Sequence, residues 1–209
     1  GNGNSNQHDA NWGEFFSFPQ TGIDWLHNHP IWFTLIVIGL AFLFIIIIAL
    51  IWVSSRGKFM FLHNVAGEND EISKPWNEYR REGNSLFVWR FFYFLVALAA
   101  FGGFVALSFL KGKELYLEGA ANIAIFWNVL VMVLVFIGLL VVFGYINLFL
   151  NDFVVPLMYK NRTGAVNAWF NFLKLFGNHP VTFIVYGLFV FLLILAVVLM
   201  VVFFGLFTC

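Results

Sequence analysis

Hydrophobic residues in this chain fall into four unbroken blocks. No charged residue occurs in Ile31–Val53, Phe91–Leu110, Ile123–Leu150 or Val181–Cys209. A bilayer's hydrocarbon core is about 30 Å thick, and a helix needs about 20 apolar residues to cross it. Each block is long enough. Strands of a membrane β-barrel alternate over about 10 residues, and these blocks do not alternate. The pattern predicts an all-α polytopic transmembrane helix bundle, with spans at about 31–53, 87–110, 123–150 and 181–207. The first block exceeds the roughly 7–15 residues of a signal-peptide core, and no basic region precedes it. Residues 1–22 are rich in Asn and Gly and read as a flexible external leader, with the transmembrane domain at 23–209. The chain opens on Gly1 and stops inside an apolar run at Cys209, so a longer protein, cut at both ends, is expected.

Composition narrows the class. Hydrophobic residues make up 61% and charged residues 11%, against about 25% charged in a typical soluble domain. A soluble enzyme, a secreted disulfide scaffold and a nucleic-acid-binding domain are excluded at this level. Formal net charge is zero, so no global field draws nucleic acid or a basic partner. The single cysteine excludes an intrachain disulfide.

Lys and Arg in the connections set the expected orientation. None precedes the first span. Arg56, Lys58, Lys74, Arg80, Arg81 and Arg90 lie in the first connection, Lys111 and Lys113 in the second, Lys160, Arg162 and Lys174 in the third. The N-terminus is expected outside, with the 54–90 and 151–180 connections in the cytoplasm. Trp32, Trp52, Trp89 and Trp127 stand at span ends, where indole rings favour the membrane–water boundary.

A weak repeat precedes spans two and four. Pro75–Phe87 and Ala168–Phe183 each carry a Trp, an aromatic three residues later, basic residues and then Gly-Asn. Trp169, Phe172, Leu173 and Phe176 fall on one helical stripe, predicting a helix that lies in the cytoplasmic interface. Trp76 and Tyr79 are the corresponding positions in the first copy. Gly177 is expected to end that helix and Asn178 with Pro180 to start the next, and Gly83 with Asn84 to do the same before span two. Arg56 to Val65 is expected to continue span one beyond the membrane, with Phe59, Leu62 and Met60 available to face a partner, and Gly67–Glu71 reads as a polar turn.

The end of span three holds the least ordinary residues. Asn147 and Asn151 are one turn apart, Asp152 follows, and Pro156 is expected to kink or end the helix. Polar groups beside a helix break are where transporters build sites. The competing reading places Asp152 at the interface, with the asparagines bonding a neighbouring helix. Ala99, Gly102, Gly103 and Ala106 in span two form small-xxx-small pairs that let helices approach closely, with Gly138 as a facing residue. His27, His29 and His179 fit helix starts better than a metal site. No catalytic motif, cofactor fingerprint or metal-ligand spacing is present in the sequence.

Three stretches carry a family resemblance. They are Arg56-Gly57-Lys58-Phe59-Met60-Phe61-Leu62, then Pro75-Trp76 with Gly83-Asn84-Ser85-Leu86-Phe87, and Asn151-Asp152-Phe153-Val154-Val155-Pro156-Leu157-Met158-Tyr159 followed by Ala168-Trp169. Over about residues 25–209 the chain resembles a group of uncharacterised bacterial polytopic membrane proteins. That group is similar to the membrane domain fused to some glycerophosphodiester phosphodiesterases. The resemblance implies a six-span unit, two spans more than are present here, and no activity. The phosphodiesterase chemistry belongs to a separate soluble domain whose catalytic acids and histidine are absent from this sequence.

The functional expectation is a non-enzymatic membrane scaffold or accessory subunit without cofactor. Its expected partners are membrane lipids and a protein partner or second copy met through the spans, with no nucleic acid. Half of a transporter or channel, with Asn147, Asn151 and Asp152 lining a path, and a membrane-embedded lipid-modifying enzyme remain as alternatives.

Overall fold

The computed structural model describes residues 12–67, 73–119 and 122–208. All regular structure among them is helical. In chain order the elements are α1 (Trp12–Asn28), α2 (Pro30–Gly67), α3 (Ser73–Glu78), α4 (Arg80–Leu117) and α5 (Asn122–Phe149). A π-helical turn (Leu150–Val154), α6 (Val155–Asn161), α7 (Ala165–Asn178) and α8 (Pro180–Thr208) follow. Four helical stretches are long and apolar enough to cross a membrane: Pro30–Val65, Arg80–Leu117, Ile123–Asn161 and Pro180–Gly205.

The first three of these run to 36, 38 and 39 residues. At about 1.5 Å per residue they exceed the hydrocarbon thickness by roughly 20–30 Å. The helices therefore continue into the basic connections instead of stopping where the charges begin. The charge-free stretches turn their side chains outward, as expected of surfaces whose solvent is lipid.

Two compact units make up the chain: residues 1–51 with 91–140, and residues 52–90 with 141–209. In the first, Phe136 of α5 meets Phe101 and Phe104 of α4, with ring centroids 6.1 and 5.7 Å away. The second holds every buried hydrophobic residue of the described chain. Phe59, Tyr79, Leu86, Phe149, Leu150, Val154, Val155, Met158, Ala165, Ala168, Phe172 and Phe183 form one cluster. Its centre is aromatic. Phe153 lies 5.5 Å from Phe172 and 5.1 Å from Phe183, and Phe172 lies 5.3 Å from both Phe149 and Phe183.

Several local expectations change. Residues 12–22, read as part of a flexible leader, belong to α1; residues 1–11 and most of the expected polar turn at 67–71 lie outside the described residues. Pro156 does not end the helix. The π turn places Val155 N–H on the Leu150 carbonyl, so the chain widens by one residue and continues as α6. A π turn is the usual way to seat an extra residue without breaking a helix. It stands where Pro156 cannot donate to the carbonyl four residues back.

Gly83 and Asn84 start no helix either, because α4 runs unbroken from Arg80. Gly83 instead lets Arg56 approach: a Cβ there would stand 2.9 Å from Arg56 Cγ. Helix α7 ends at Asn178, one residue beyond Gly177, and Pro180 is the first residue of α8. The lead-in to span two is the six-residue α3, not a copy of the 14-residue α7.

The stripe on α7 is thus used for packing. Phe172 is buried within the aromatic cluster, whereas Leu173 is 51% exposed. Replacing Phe172 by Ala is expected to cost about 3–5 kcal/mol, and Leu173→Ala less than about 1 kcal/mol. Thermal unfolding of both variants in detergent micelles checks this; equal losses would mean that the two positions share one environment.

Candidate functional site

The polar residues at the end of span three lie beside two cations. Asn151 Oδ1 accepts from Lys58 Nζ and, at 2.8 Å, from Arg90 Nη2. Its Nδ2 donates to Asn147 Oδ1 at 3.2 Å, which turns the amide oxygen toward the cations. Arg90 Nη1 donates to Ser54 Oγ at 3.3 Å. Asp152 Oδ2 accepts from the Tyr186 hydroxyl at 3.0 Å. Lys58, Arg90 and Asn151 are half-buried, while Ser54, Asn147 and Asp152 are exposed and form the rim.

Electrostatically the arrangement is unbalanced. Two positive charges share one neutral oxygen; neither is hydrogen-bonded to a carboxylate among the described residues, and the Asp152 charge acts on Lys58 from farther off. Two unit charges about 5 Å apart repel by about 3 kcal/mol at an effective dielectric of about 20. One amide acceptor offsets part of that, since a hydrogen bond to a charged group contributes about 1.5–3 kcal/mol.

Arg56 shows the same preference for an amide. Its Nε and Nη2 donate to Asn84 Oδ1 at 3.2 and 2.9 Å. Its guanidinium stacks 4.5 Å from the Trp52 ring and 5.4 Å from Trp76. Desolvation of this cation is offset by ring faces instead of by an anion.

A second cluster surrounds Tyr79, outside the charge-free stretches. Tyr79 stacks on Tyr159 at 5.0 Å, and both hydroxyls reach His63 Nδ1, at 3.4 and 3.5 Å. Arg162, in the left-handed conformation at the end of α6, places its guanidinium 3.9 Å from the Tyr79 ring and donates to Glu78. Burial and then the neighbouring Tyr159 hydroxyl push the Tyr79 phenol above its ordinary range. Desolvation pulls the Arg162 guanidinium down, but the Glu78 hydrogen bond and the charges of Tyr79, Glu78 and Glu82 outweigh it and hold it above its usual value. Glu82 is buried one turn from Glu78, and its Oε2 has no hydrogen-bond partner among the described residues. The α6–α7 turn is fastened nearby, where the Ala165 N–H donates to Ser85 Oγ at 2.9 Å.

The structure distributes the other sequence-selected residues as follows. Trp76 meets Trp52 edge-on at 5.9 Å, and Trp169 stacks on Trp89 at 5.2 Å. Tyr79, Phe172 and Phe176 join the aromatic cluster or pack against it. Ala99, Gly102, Gly103 and Ala106 are exposed, and a Cβ at Gly102, Gly103 or Gly138 would meet nothing within 4 Å. In place of these small residues, phenylalanines make the contact between α4 and α5 in that unit. His29 stacks on Trp25 and bonds its carbonyl, and His179 follows the last residue of α7.

Sequence reasoning missed Lys58, Arg90, Ser54 and Tyr186. A signal existed: Arg90 immediately precedes one charge-free block, Asn151 immediately follows another, and Lys58 lies five residues past a third. Also missed were Val166 and Phe170, which are exposed on α7 together with Leu173 of the expected stripe.

Helices of this length and hydropathy, their apolar faces outward and their packed core at and beyond the ends of the charge-free stretches, define an α-helical membrane protein with four candidate spans. The chain belongs to a family of unknown function, DUF7544, whose model matches residues 2–209. Comparison with curated proteins and with solved structures gave no match.

The shared amide generates a prediction. Asn151→Leu removes the acceptor of two cations and is expected to lower stability by about 2–3 kcal/mol. Asn151→Asp places a carboxylate between them and is expected to match or exceed the wild-type melting temperature in detergent micelles. A loss in Asn151→Asp as large as in Asn151→Leu would mean that charge imbalance is not the governing feature.

Proposed function

We propose that this protein is a non-enzymatic scaffold or accessory subunit of a bacterial inner membrane. Its N-terminus lies outside and its 54–90 and 151–180 connections lie in the cytoplasm. The observation that carries this reading is the bonding of the polar residues at the end of span three to neighbouring helices. Asn151 is engaged by Lys58 and Arg90, Asp152 by Tyr186, and Asn147 by Asn151, which suits a clamp between helices better than a solute path. The aromatic filling beside it favours a rigid platform for the same reason. Membrane lipids are the first partner. A second copy or another membrane protein would meet the exposed face that carries Ala99, Gly102, Gly103 and Ala106. The likeness to the membrane domain of glycerophosphodiester phosphodiesterases belongs to this reading as architecture, without their chemistry.

Half of a transporter is the second reading, and the π turn favours it. Such turns recur at functional sites, and this one bears Asn151 and Asp152. Membrane-embedded lipid chemistry has less support, because His63 meets two phenols and, among the described residues, no carboxylate.

Two measurements test the proposal. In proteoliposomes, wild type and Asp152→Asn should give the same flux as protein-free vesicles for a panel of inorganic ions and small metabolites; flux abolished by Asp152→Asn would replace the scaffold by the transporter. Single cysteines at positions 20 and 115 should react with an impermeant reagent on intact cells, and cysteines at 165 and 70 should not. Labelling at 70 and 165 from outside would invert the topology.

A further inference from the structure

We propose that Lys58 and Arg90 form a binding site for the phosphodiester of an anionic phospholipid. The proposal rests on the membrane placement given above and adds a specific ligand to it. Its observation is the pair of half-buried cations converging on Asn151 Oδ1. A Lys ammonium carries three N–H donors and an Arg guanidinium five, so one amide oxygen and the Ser54 hydroxyl leave donors on both. Asn147 fixes the Asn151 amide, and Tyr186 holds the Asp152 carboxylate, so the cluster is shaped in the absence of ligand.

Charge selects the ligand. Lys58 and Arg90 contribute two positive charges and Asp152 one negative, leaving one positive charge in excess. A phosphodiester carries a single negative charge and neutralises it. A zwitterionic headgroup would bring its own cation against Lys58 and Arg90. The exposed rim of Ser54, Asn147 and Asp152 gives a headgroup access from the side.

Depth selects the source. Arg90 and Asn151 each adjoin a charge-free block, and Lys58 is five residues beyond another. This is the level at which basic side chains meet the headgroups of a bilayer. Val53, beside Ser54, is exposed and apolar. Acyl chains attached to a bound phosphate would have that surface to lie on, whereas inorganic phosphate would gain nothing from it.

The test uses the full chain in neutral detergent micelles doped with phosphatidylglycerol, with phosphatidylcholine, or given inorganic phosphate at constant ionic strength. A ligand that binds the folded state raises the melting temperature by mass action. Phosphatidylglycerol should raise it; phosphatidylcholine and inorganic phosphate should not. In Lys58→Gln/Arg90→Gln, apparent affinity for phosphatidylglycerol should fall by about thirtyfold, about five- to sixfold per basic residue. The charge-conserving pair Lys58→Arg/Arg90→Lys should keep most of it, and Lys111→Gln/Lys113→Gln should keep all of it. Should the double Gln variant fail to fold, single Lys58→Gln, which leaves Arg90 on Asn151, must still show the smaller loss.

No preference for phosphatidylglycerol over phosphatidylcholine, or a preference untouched by the Gln variants, would overturn the site. An equal shift from inorganic phosphate alone would overturn the lipid as occupant. A chain that washes off vesicles at alkaline pH would overturn the membrane placement and the site together. A chain that is retained but shows no phosphatidylglycerol shift overturns the site alone.

Discussion

Lipid offers helices no hydrophobic reason to associate, because acyl chains are as apolar as leucine. A chain of long apolar helices must therefore find its cohesion elsewhere, and this one finds it where the helices leave the charge-free stretches. There the rings of Phe149, Phe153, Phe172 and Phe183 meet edge-to-face, tilted and stacked at 5.1–6.3 Å. Helix α7 supplies Phe172, and α8 enters the cluster through Phe183. Tyr145, whose hydroxyl bonds the Ile184 carbonyl at 3.2 Å, lies where a Cβ on Gly187 would have to be. Packing of this kind, with an unsubstituted glycine under a ring, holds two apolar helices together without needing water to drive it.

The four long helices are legible in the sequence because their signal is composition over some 20 residues, which tertiary context cannot reverse. Their true ends are not. The charge at Arg90 looks like a span limit, yet the backbone stays helical through it, as it does from Arg56 to Val65, since a helix satisfies its own backbone in lipid and in water alike. The stripe on α7 was equally visible, but a stripe says that one face is buried and not what buries it. Phe172 turns to protein and Leu173 away from it, although they are adjacent in the same pattern. Helix α1 was hidden by the Asn- and Gly-rich start, which outweighed the aromatic residues at Phe18 and Trp25.

The polar cluster divides in the same way. Asn147, Asn151 and Asp152 stand out within an apolar neighbourhood, so half of the site could be read in one dimension. Lys58 and Arg90 look like ordinary basic residues of a cytoplasmic connection, and only the juxtaposition of α2, α4 and the π turn gives them a common acceptor. Arg56, Lys58 and Arg90 all end on asparagine oxygens. An amide accepts without carrying charge, so each of these contacts leaves a positive potential that an ion pair would have cancelled.

The π turn has a consequence for how this stretch is read. It accommodates one residue more than an α-turn, and one residue is worth about 100° of rotation. Everything from Val155 onward is therefore out of phase with α5 by roughly that angle. A helical wheel drawn straight through 123–161 assigns the wrong face to Met158 and Tyr159, which in fact point to the core and to His63. The two faces that matter, amides toward the cations and Val154, Val155 and Met158 toward the buried cluster, belong to two angular frames joined at Leu150–Val154. Length in that segment is accordingly under tighter constraint than side-chain identity: removing a single residue would merge the frames and turn one of the faces away from its neighbours.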